Sequence, residues 1–417
     1  MPRSFGVVFV VALAIWALLG MLAGRALANH VQCGDVITHD TTLDSDLVDC
    51  PGDGIVIGAD GITLDLNGHT IDGDGDPRGI FGCDTGILNG RSDSCTYPRV
   101  PGHNGVTIKG GVVRQFALGV QLVEVDANAV VRLRLSEASS WAGITGSYLS
   151  NTLIADNEAV GNRETGINLN DPTGPVRIVR NLVARNGYDG IEVSDGDAAR
   201  IEDNVAAGNA NDGIRLNSTE GSFVRGNRLF DNRGDGIEVS DGVLYNVIAH
   251  NDVRHNARAG ILLQEGAHRN RVVSNLVFDN AYEPHYPGVP DGGIVIWEGH
   301  DDVVADNHVA ANGGNAGIDM DGVHDSVIAR NHVTRSTGDG IALAFSFADS
   351  NVLFKANRVL ENGDDGLDVE VGGTTFTANL ALRNFDLGIE AVPGVVDGGA
   401  NRAFRNGNPL QCLNVAC

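Results

Sequence analysis

Lysine is nearly absent from this sequence, since Lys109 and Lys355 are the only two. Asp and Glu together number 54 against 29 Lys and Arg, which gives a formal net charge of −25 at pH 7. A surface this acidic repels the phosphate backbone of nucleic acids, so we expect no nucleic-acid partner. The same surface is compatible with divalent cations and with uncharged sugars.

Long apolar runs are also missing, except at the N-terminus. Arg3 precedes an apolar run over residues 5–23, and Ala26-Leu27-Ala28 offers a small-x-small cleavage site. This pattern predicts a signal peptide over residues 1–28 and a secreted protein, either extracellular or periplasmic. The run is long for a signal peptide, so an uncleaved anchor is the alternative. No later stretch approaches the roughly 18 apolar residues that span a bilayer, so we expect no membrane span after cleavage.

Cysteine is absent from the whole middle of the chain. The six Cys lie near its ends, at Cys33, Cys50, Cys83, Cys95, Cys412 and Cys417. An even number behind an export signal predicts disulfides. Loop length favours the three local pairings, Cys33–Cys50, Cys83–Cys95 and Cys412–Cys417. None of them has the CxxC spacing of a zinc site, so no such site is expected.

No stretch has the apolar period of an amphipathic helix, which excludes helical and leucine-rich repeats. Short apolar–polar alternations such as Ile62–Leu66 predict β-strands instead. They fall into a repeat of mostly 22–24 residues. A Gly that precedes an apolar residue recurs at Gly143, Gly166, Gly190, Gly213, Gly236, Gly260, Gly293, Gly317, Gly340, Gly366 and Gly388. One Asn column begins at Asn157, and a second lies five residues further on and is interrupted once, at Ser336.

The repeat has a direct physical interpretation. The first and third residues after each Gly are apolar, as at Ile191 and Val193, so they point inward while the residue between them points outward. Gly is predicted to supply a positive φ or a close-packed corner before each strand. Asn is predicted to take a left-handed bend and to bond the Asn of the next coil, forming a ladder. Successive coils then stack as parallel strands about 4.8 Å apart.

These features resemble a known family over residues 106–406. The Gly-Ile steps and Asn columns are similar to those of right-handed parallel β-helix proteins with pectate-lyase-like repeats, a group that includes NosD-type and mannuronan-epimerase-type proteins. The resemblance implies an all-β, single-stranded right-handed parallel β-helix of about 12–14 coils. Residues 29–105 are predicted to form the first coils and a disulfide-pinned loop, and residues 407–417 a disulfide-closed tail. A monomer is expected.

One repeat breaks the rhythm, and candidate catalytic residues lie there. The step from Gly260 to Gly293 is 33 residues long because it contains the insertion 281–290. Insertions in solenoids often mark the binding face. Tyr282, Glu283 and His285 loosely resemble the catalytic motif of alginate epimerases. That resemblance implies His285 as base, Tyr282 as acid, and Glu283 as the group that neutralises substrate charge.

Further candidates follow the insertion. Asp291 and Glu298 are predicted catalytic carboxylates, and Trp297 is a predicted platform for sugar stacking. The alternative for Trp297 is that the inserted loop covers it. Asp319 and Asp321 are predicted to bind substrate, because they lie at i and i+2 on one strand with a separation of roughly 6.5–7 Å. That separation is near the range for inverting glycosidases, which is roughly 6.5–9.5 Å.

Two columns of residues suggest metal chemistry. His268, His300 and His324 share one turn position and can stack, although a solvated turn is the simpler interpretation. Glu192, Arg215 and Glu238 follow one another in the outward column. They offer acids for Ca²⁺ and a basic Arg, as a calcium-dependent lyase requires, or they form a cross-strand salt-bridge ladder. The Asp that precedes five of the repeat Gly residues is expected to accept backbone N–H groups in a turn, at Asp189, Asp212, Asp235, Asp339 and Asp365.

The sequence leaves three functions open. The first is an exported enzyme that binds and processes extracellular polysaccharide as a lyase, epimerase or hydrolase, with Ca²⁺ as the only cofactor considered. The second is a β-helix that binds carbohydrate without catalysis or serves as a rigid scaffold. The third is a NosD-like periplasmic partner in metal-site assembly, for which the fold and the histidines are the only support.

Overall fold

The computed structural model describes residues 30–75, 83–92, 98–242, 244–264, 266–283, 291–344 and 350–417. Within these ranges the chain forms 43 short β-strands and no helix. Every pairing between named strands is parallel, and each strand pairs with strands one coil away. The chain therefore winds as a parallel β-solenoid of about 14 turns, which confirms the predicted fold.

Each coil contributes to three faces, here named A, B and C in the order in which the chain visits them. Face A is a ladder of 15 strands. They are Asp35–Ile37, Ile55–Ile57, Thr85–Asn89, Leu118–Val123, Ile144–Ser147, Ile167–Asn170, Ile191–Ser194, Ile214–Asn217, Ile237–Ser240, Ile261–Leu263, Gly292–Trp297, Ala316–Asp321, Asp339–Ala344, Leu367–Val369 and Ile389–Ala391.

Faces B and C are joined where two long strands, Thr107–Arg114 and Ala129–Ser136, run over both. The other strands of face B are Thr41–Thr42, Thr63–Asp65, Thr152–Ala155, Val176–Val179, Arg200–Glu202, Phe223–Arg225, Val247–Ala249, Arg271–Val273, Val303–Ala305, Val327–Ala329, Leu353–Lys355, Thr375–Thr377 and Val396–Asp397. Those of face C are Leu47–Cys50, Thr70–Gly73, Glu158–Val160, Leu182–Ala184, Val205–Ala207, Arg228–Phe230, Asp252–Arg254, Leu276–Phe278, His308–Ala310, His332–Thr334, Arg358–Leu360, Leu380–Leu382 and Arg402–Phe404.

The core is a continuous stack of inward side chains. Ile191 and Val193 are fully buried, as are the equivalent residues of the neighbouring coils, whereas the residue between them, Glu192, is only partly buried. Phe354 and Phe376 stack on face B with ring centroids 5.4 Å apart. The alternation along each strand therefore places the core as the sequence predicts.

The two Asn columns form ladders inside the turns. In the B–C corner, Asn204 Nδ2 donates to Asn227 Oδ1 at 3.0 Å, and the same bond recurs from Asn157 to Asn401. In the C–A corner, Asn209 Nδ2 donates to Asn232 Oδ1 at 2.9 Å. The second ladder is interrupted at Ser336, whose buried Oγ has no hydrogen-bond partner. The predicted ladders are confirmed, and they satisfy turn polarity that would otherwise be costly to bury.

A shorter third ladder lies in the A–B corner. Asn246 N donates to Asn270 Oδ1 at 2.9 Å, and Asn270 N donates to Asp302 Oδ1 at 2.8 Å. Asp302 N in turn donates to Ser326 Oγ at 3.0 Å. Asp302 thus places a carboxyl group at a ladder position that is filled by an Asn amide in the two preceding coils. It is fully buried, its Oδ2 has no partner, and burial raises its pKa to about 8.

The structure selects one of the two predicted roles of the repeat Gly, and one detail of the turns differs from expectation. The recurring Gly does not have a positive φ. Its role is close packing, because a Cβ on Gly190 would lie 2.5 Å from the carbonyl oxygen of Gly213 in the next coil. The left-handed residue is the one before each first-column Asn, as at Arg180 and Asp203, both with φ 54°. The Asn stays outside that region because its side chain must reach along the stack.

The disulfide predictions hold where the structure describes them. Cys33–Cys50 and Cys412–Cys417 are bonded. Cys83 is also disulfide-bonded, while its predicted partner Cys95 lies outside the described residues. The predicted signal peptide lies outside them as well, and within them no helix is long and apolar enough to cross a membrane.

Candidate functional site

The outward surface of face A holds the side chains of the candidate site. Strand registers align one residue of each coil into a floor column, which confirms the predicted succession of Glu192, Arg215 and Glu238. From the N-terminal end it consists of Gln121, Thr145, Asn168, Glu192, Arg215, Glu238, Leu262, Val295, Asp319, Ala342, Asp368 and Glu390. Its polarity changes along the axis, from neutral to charged to apolar and back to acidic.

A second column forms the wall of this floor at the C–A corner. It consists of the residue two places before each Gly: Trp141, Glu164, Tyr188 and Asn211. Backbone bonds hold them in line, since Glu164 N donates to Trp141 O and Tyr188 N to Glu164 O, both at 3.1 Å. Trp141 is 45% exposed and Tyr188 is 43% exposed. We call the space between this wall and the floor from Gln121 to Arg215 the open groove.

Two glutamates, Glu164 in the wall and Glu192 in the floor, have different environments. The Glu164 side chain is exposed, but the atoms around it partly desolvate its carboxyl group, and this desolvation together with the charge of Glu192 raises its pKa against the opposing effect of Arg163. Glu192 is held from the side as an acceptor. Asn168 Nδ2 donates to its Oε2 at 2.6 Å and Ser194 Oγ to its Oε1 at 3.4 Å. The pKa of Glu164 is therefore raised above its ordinary value, while Glu192 accepts hydrogen bonds from two neutral side chains.

Arg215 closes the charged end of the groove. Its Nη2 lies 3.6 Å from Glu238 Oε1, and its Nη1 lies 3.3 Å from the hydroxyl oxygen of Tyr188. Burial acts against the charge of Arg215, but Glu238, Asp189 and Asp212 together raise its pKa. The guanidinium is thus committed to a cross-strand pair with Glu238, as the salt-bridge interpretation predicts.

Beneath Glu192 and Arg215 runs a buried row of aspartates. Asp212 N donates to Asp189 Oδ1 at 2.9 Å and Asp235 N to Asp212 Oδ1 at 2.7 Å, which confirms their predicted role as turn acceptors. Burial raises the pKa of Asp189 to about 7 and that of Asp212 well above its ordinary value. Oxygens of Asp212, Asp235 and Glu238 also lie within 4.8 Å of one another, so this row can share protons or hold a cation.

A second acidic cluster lies near the C-terminal end of face A. Burial raises the pKa of Asp365 to about 8, of Asp368 to about 7 and of Asp339 to about 6. Oxygens of Asp365, Asp368 and Glu390 lie within 4.8 Å of one another. The cluster repeats the geometry of the first, an Asp before Gly in one coil against an acid of the floor column in the next, but no Trp or Tyr stands in its wall column.

Between the two acidic regions the floor is covered. Leu262 and Val295 point outward by register, yet they are buried together with Ala259. Asp319 is buried too, and its Oδ2 accepts from Asp291 N at 2.9 Å and from Asn315 Nδ2 at 3.1 Å. Asp319 therefore serves as an internal hydrogen-bond acceptor, and this arrangement does not favour the predicted role of an open substrate ligand.

The predicted catalytic residues around the insertion do not all converge. Tyr282 stacks on His255 at 5.0 Å and, with Asp291, lines a depression of about 380 Å³ at the C–A corner. Trp297 is the last residue of strand Gly292–Trp297 and Glu298 follows it, so they lie roughly 20 and 23 Å along the chain from Asp291 at about 3.3 Å per residue.

The remaining predicted site residues are dispersed. Trp297 is in register with Asp321 on the outer surface, so these two predicted binding residues are neighbours. Glu283 is exposed. His285 lies outside the described residues. No single groove in the described part of the chain therefore collects the predicted set.

The histidine column stacks as predicted. Ring centroids of His268 and His300 are 4.0 Å apart, and those of His300 and His324 are 5.0 Å apart. His300 Nδ1 and His324 Nδ1 lie 3.0 and 2.9 Å from the carboxylates of Asp301 and Asp325. In the ranges that the structure describes, no set of three groups with ligand atoms within 4.8 Å of one another includes a histidine. The geometry favours the interpretation as a polar turn.

Comparison with protein families agrees with this architecture. The model for "Right handed beta helix region" matches residues 44–205, 142–299 and 285–384, which together span most of the chain. The chain belongs to the right-handed β-helix family. This assignment also confirms the predicted handedness. No curated protein sequence matches this β-helix significantly.

Solved structures similar to this β-helix include three that differ in the length of the match. The A-module of a mannuronan C-5 epimerase from Azotobacter vinelandii is 12% identical, covers 92% of this chain and 91% of its own, and has a TM-score of 0.46. A periplasmic alginate epimerase is 13% identical, covers 66% of this chain and 77% of its own, and has a TM-score of 0.44. An alginate lyase from Paenibacillus sp. is 17% identical, covers 66% of this chain and 92% of its own, and has a TM-score of 0.41. At these identities the likeness concerns the fold alone.

Sequence reasoning missed the wall of the open groove in this β-helix. Trp141, Glu164 and Tyr188 belong to three different repeats, and each looks like an ordinary turn residue within its own repeat. A readable signal was present, because all three stand two places before a repeat Gly. Aligning that position down the repeats would have placed two aromatic residues on either side of a glutamate.

Proposed function

We propose that this β-helix hydrolyses glycosidic bonds of an extracellular polysaccharide in the open groove. Glu164 is the general acid and Glu192 is the carboxylate on the anomeric side. The observation that carries the proposal is the position of two glutamates in neighbouring columns, Glu164 in the wall beside exposed Trp141 and Tyr188, and Glu192 in the floor with Asn168 and Ser194 as hydrogen-bond donors. Pairs of Asp or Glu residues are the common apparatus of glycoside hydrolysis.

The chemistry follows from the two environments. Glu164, whose pKa is raised, donates its proton to the glycosidic oxygen as the bond to the anomeric carbon breaks. The anomeric centre develops positive charge, which the Glu192 carboxylate stabilises at close range. Water supplies the hydroxyl group of the new reducing end. The remaining proton of that water reprotonates one of the two glutamates.

The surroundings of the pair suit a sugar chain. Trp141 and Tyr188 stand one coil before and one coil after Glu164, so their rings are roughly 10 Å apart along the axis at about 4.8 Å per coil. Exposed aromatic planes of this kind support pyranose rings. Disulfides at Cys33–Cys50 and Cys412–Cys417 favour an oxidising compartment, in agreement with the proposed export.

The proposal is tested by release of reducing ends from a panel of neutral and acidic polysaccharides. The wild-type chain should be active on at least one polymer, and Glu164→Gln and Glu192→Gln should each lose at least ~100-fold in kcat/KM. Glu220→Gln, which changes an exposed glutamate at the A–B corner, is the matched control. Full activity in both groove variants would assign the reaction to another site, with the depression at Tyr282 and Asp291 as the next candidate.

A second candidate is metal-dependent elimination on a polyuronate. Its support is the cluster of Asp212, Asp235 and Glu238, whose oxygens can surround a Ca²⁺ ion. Elimination leaves an unsaturated sugar end that absorbs in the ultraviolet, whereas hydrolysis does not. Ultraviolet-absorbing products that form with Ca²⁺ and disappear with a chelator would favour this candidate. Glycan binding with unchanged polymer length would support the non-catalytic scaffold.

A further inference from the structure

The floor of the open groove begins with a cavity that the proposed hydrolysis does not use. It lies on the N-terminal side of the Glu164–Glu192 pair, has a volume of about 160 Å³, and is lined by Leu118, Gln121, Trp141, Thr145, Ser147 and Asn170 among others. That volume corresponds to about five water molecules at ~30 Å³ each, which is the scale of a single sugar ring.

Gln121 is the unusual member of this cavity. It is 3% exposed, and its Nε2 donates to Ser92 Oγ at 3.1 Å. Its Oε1 is buried and has no hydrogen-bond partner. A buried acceptor left in this state is unfavourable, so the site favours a ligand that brings a donor. A hydroxyl group of a sugar meets this need.

The other described residues of the lining are uncharged. Thr145, Ser147 and Asn170 offer hydroxyl and amide groups that both donate and accept, and Trp141 adds an aromatic plane. Among the described lining residues there is no cation to neutralise a uronate carboxylate. The next floor positions are Asn168 and then Glu192, an acid. A carboxylate here would face an unfavourable charge, whereas an uncharged pyranose meets complementary groups throughout.

We infer that this cavity is a subsite for one uncharged hexose or pentose unit. Gln121 Oε1 accepts a hydroxyl hydrogen from it, and Trp141 stacks on its ring. The glycan then lies along the solenoid axis, with its next unit toward Glu164 and Glu192. The inference rests on the proposed function for the identity of the site, but binding at the cavity can be measured without turnover.

The test uses binding by Glu164→Gln, which removes the proposed acid and leaves the cavity intact. Neutral hexasaccharides (cello-, xylo- and mannohexaose) and hexagalacturonate are titrated by calorimetry and by Trp fluorescence. We expect at least one neutral hexasaccharide to bind and hexagalacturonate to bind at least tenfold more weakly. Gln121→Met and Trp141→Ala should each weaken the neutral ligand at least tenfold. Phe223→Ala, which removes an exposed aromatic ring on face B, should leave it unchanged.

The outcomes separate the two proposals. Neutral binding that depends on Trp141, together with no cleavage by the wild-type chain, would keep the subsite and reject the hydrolysis. Binding that is equal in all variants, preferential binding of hexagalacturonate, or no binding of any neutral hexasaccharide would overturn the subsite. Because Trp141 is exposed, Trp141→Ala keeps the test valid even if Gln121→Met fails to fold.

Discussion

Replacement of Asp302 by Asn should stabilise the protein, and the gain should depend on pH. The folded-state pKa of Asp302 is raised to about 8 by burial, whereas an unfolded aspartate titrates near ~3.9. The folded state therefore holds its proton more tightly than the unfolded state. The stability that comes from this proton is complete below pH ~3.9 and is lost progressively as pH rises toward about 8.

The magnitude follows from the difference between the two pKa values. Each pH unit in this window costs about 1.4 kcal/mol, so wild type at pH 7 has lost about 4 kcal/mol relative to a group that does not titrate. Asn carries no charge and restores an amide to the position between Asn270 and Ser326. Asp302→Asn should therefore exceed wild type by about 4 kcal/mol at pH 7, and by less than ~1 kcal/mol at pH 4.

Urea unfolding of both proteins at several pH values between 4 and 8 measures this difference directly. Asp301→Asn is the matched control, because Asp301 is the adjacent residue but half exposed, and it should change stability by less than ~1 kcal/mol at any pH. A gain for Asp302→Asn that stays constant over the whole range would refute the argument from burial and leave only a hydrogen-bond effect.

Three further predictions rest on the same structure. Ser336→Asn should complete the second ladder and raise the unfolding free energy by about 1–2 kcal/mol, while Asn209→Ser should lower it by about 1–3 kcal/mol, both by urea unfolding. The high-pH limb of kcat/KM should fall at a pH above the ordinary glutamate range because the pKa of Glu164 is raised, and a limb inside that range would contradict its role as acid. Removing the Cys33–Cys50 bond, which closes a loop of 17 residues, should cost about 3 kcal/mol by thermal unfolding, and no measurable loss would mean that the first coils are held by packing alone.

The fold could be predicted because the repeat expresses one local rule many times. Each Gly-Ile step shows the same apolar–polar alternation, and each Asn predicts the same hydrogen bond to the next coil. An exception at a single position therefore does not change the predicted fold. For Gly190 the sequence left two roles open. A lone sequence position does not show whether a glycine is needed for a positive φ or for space, and here the neighbouring carbonyl of Gly213 decides.

The site could be predicted only in part because the environment of each side chain is set by residues from several stacked coils. Registers placed Glu192, Arg215 and Glu238 in one column, and the sequence predicted that column. Burial is different, since Asp189 has an ordinary turn sequence and acquires its raised pKa from the coils stacked around it. The insertion at 281–290 is recognisable in the sequence because it breaks the repeat pattern. The open groove lies where the repeat pattern is intact, and only the types of its exposed residues differ from coil to coil.

The two ladder defects have a consequence for how the molecule opens. Asp302 and Ser336 lie in neighbouring coils, next to the insertion, and a solenoid coil is stabilised mainly by the coils on either side. We therefore expect local opening to begin at these two corners and not on face A, where strands Gly292–Trp297 and Ala316–Asp321 pair at five positions. Amide protection factors near Asp302 should fall as pH rises and Asp302 loses its proton.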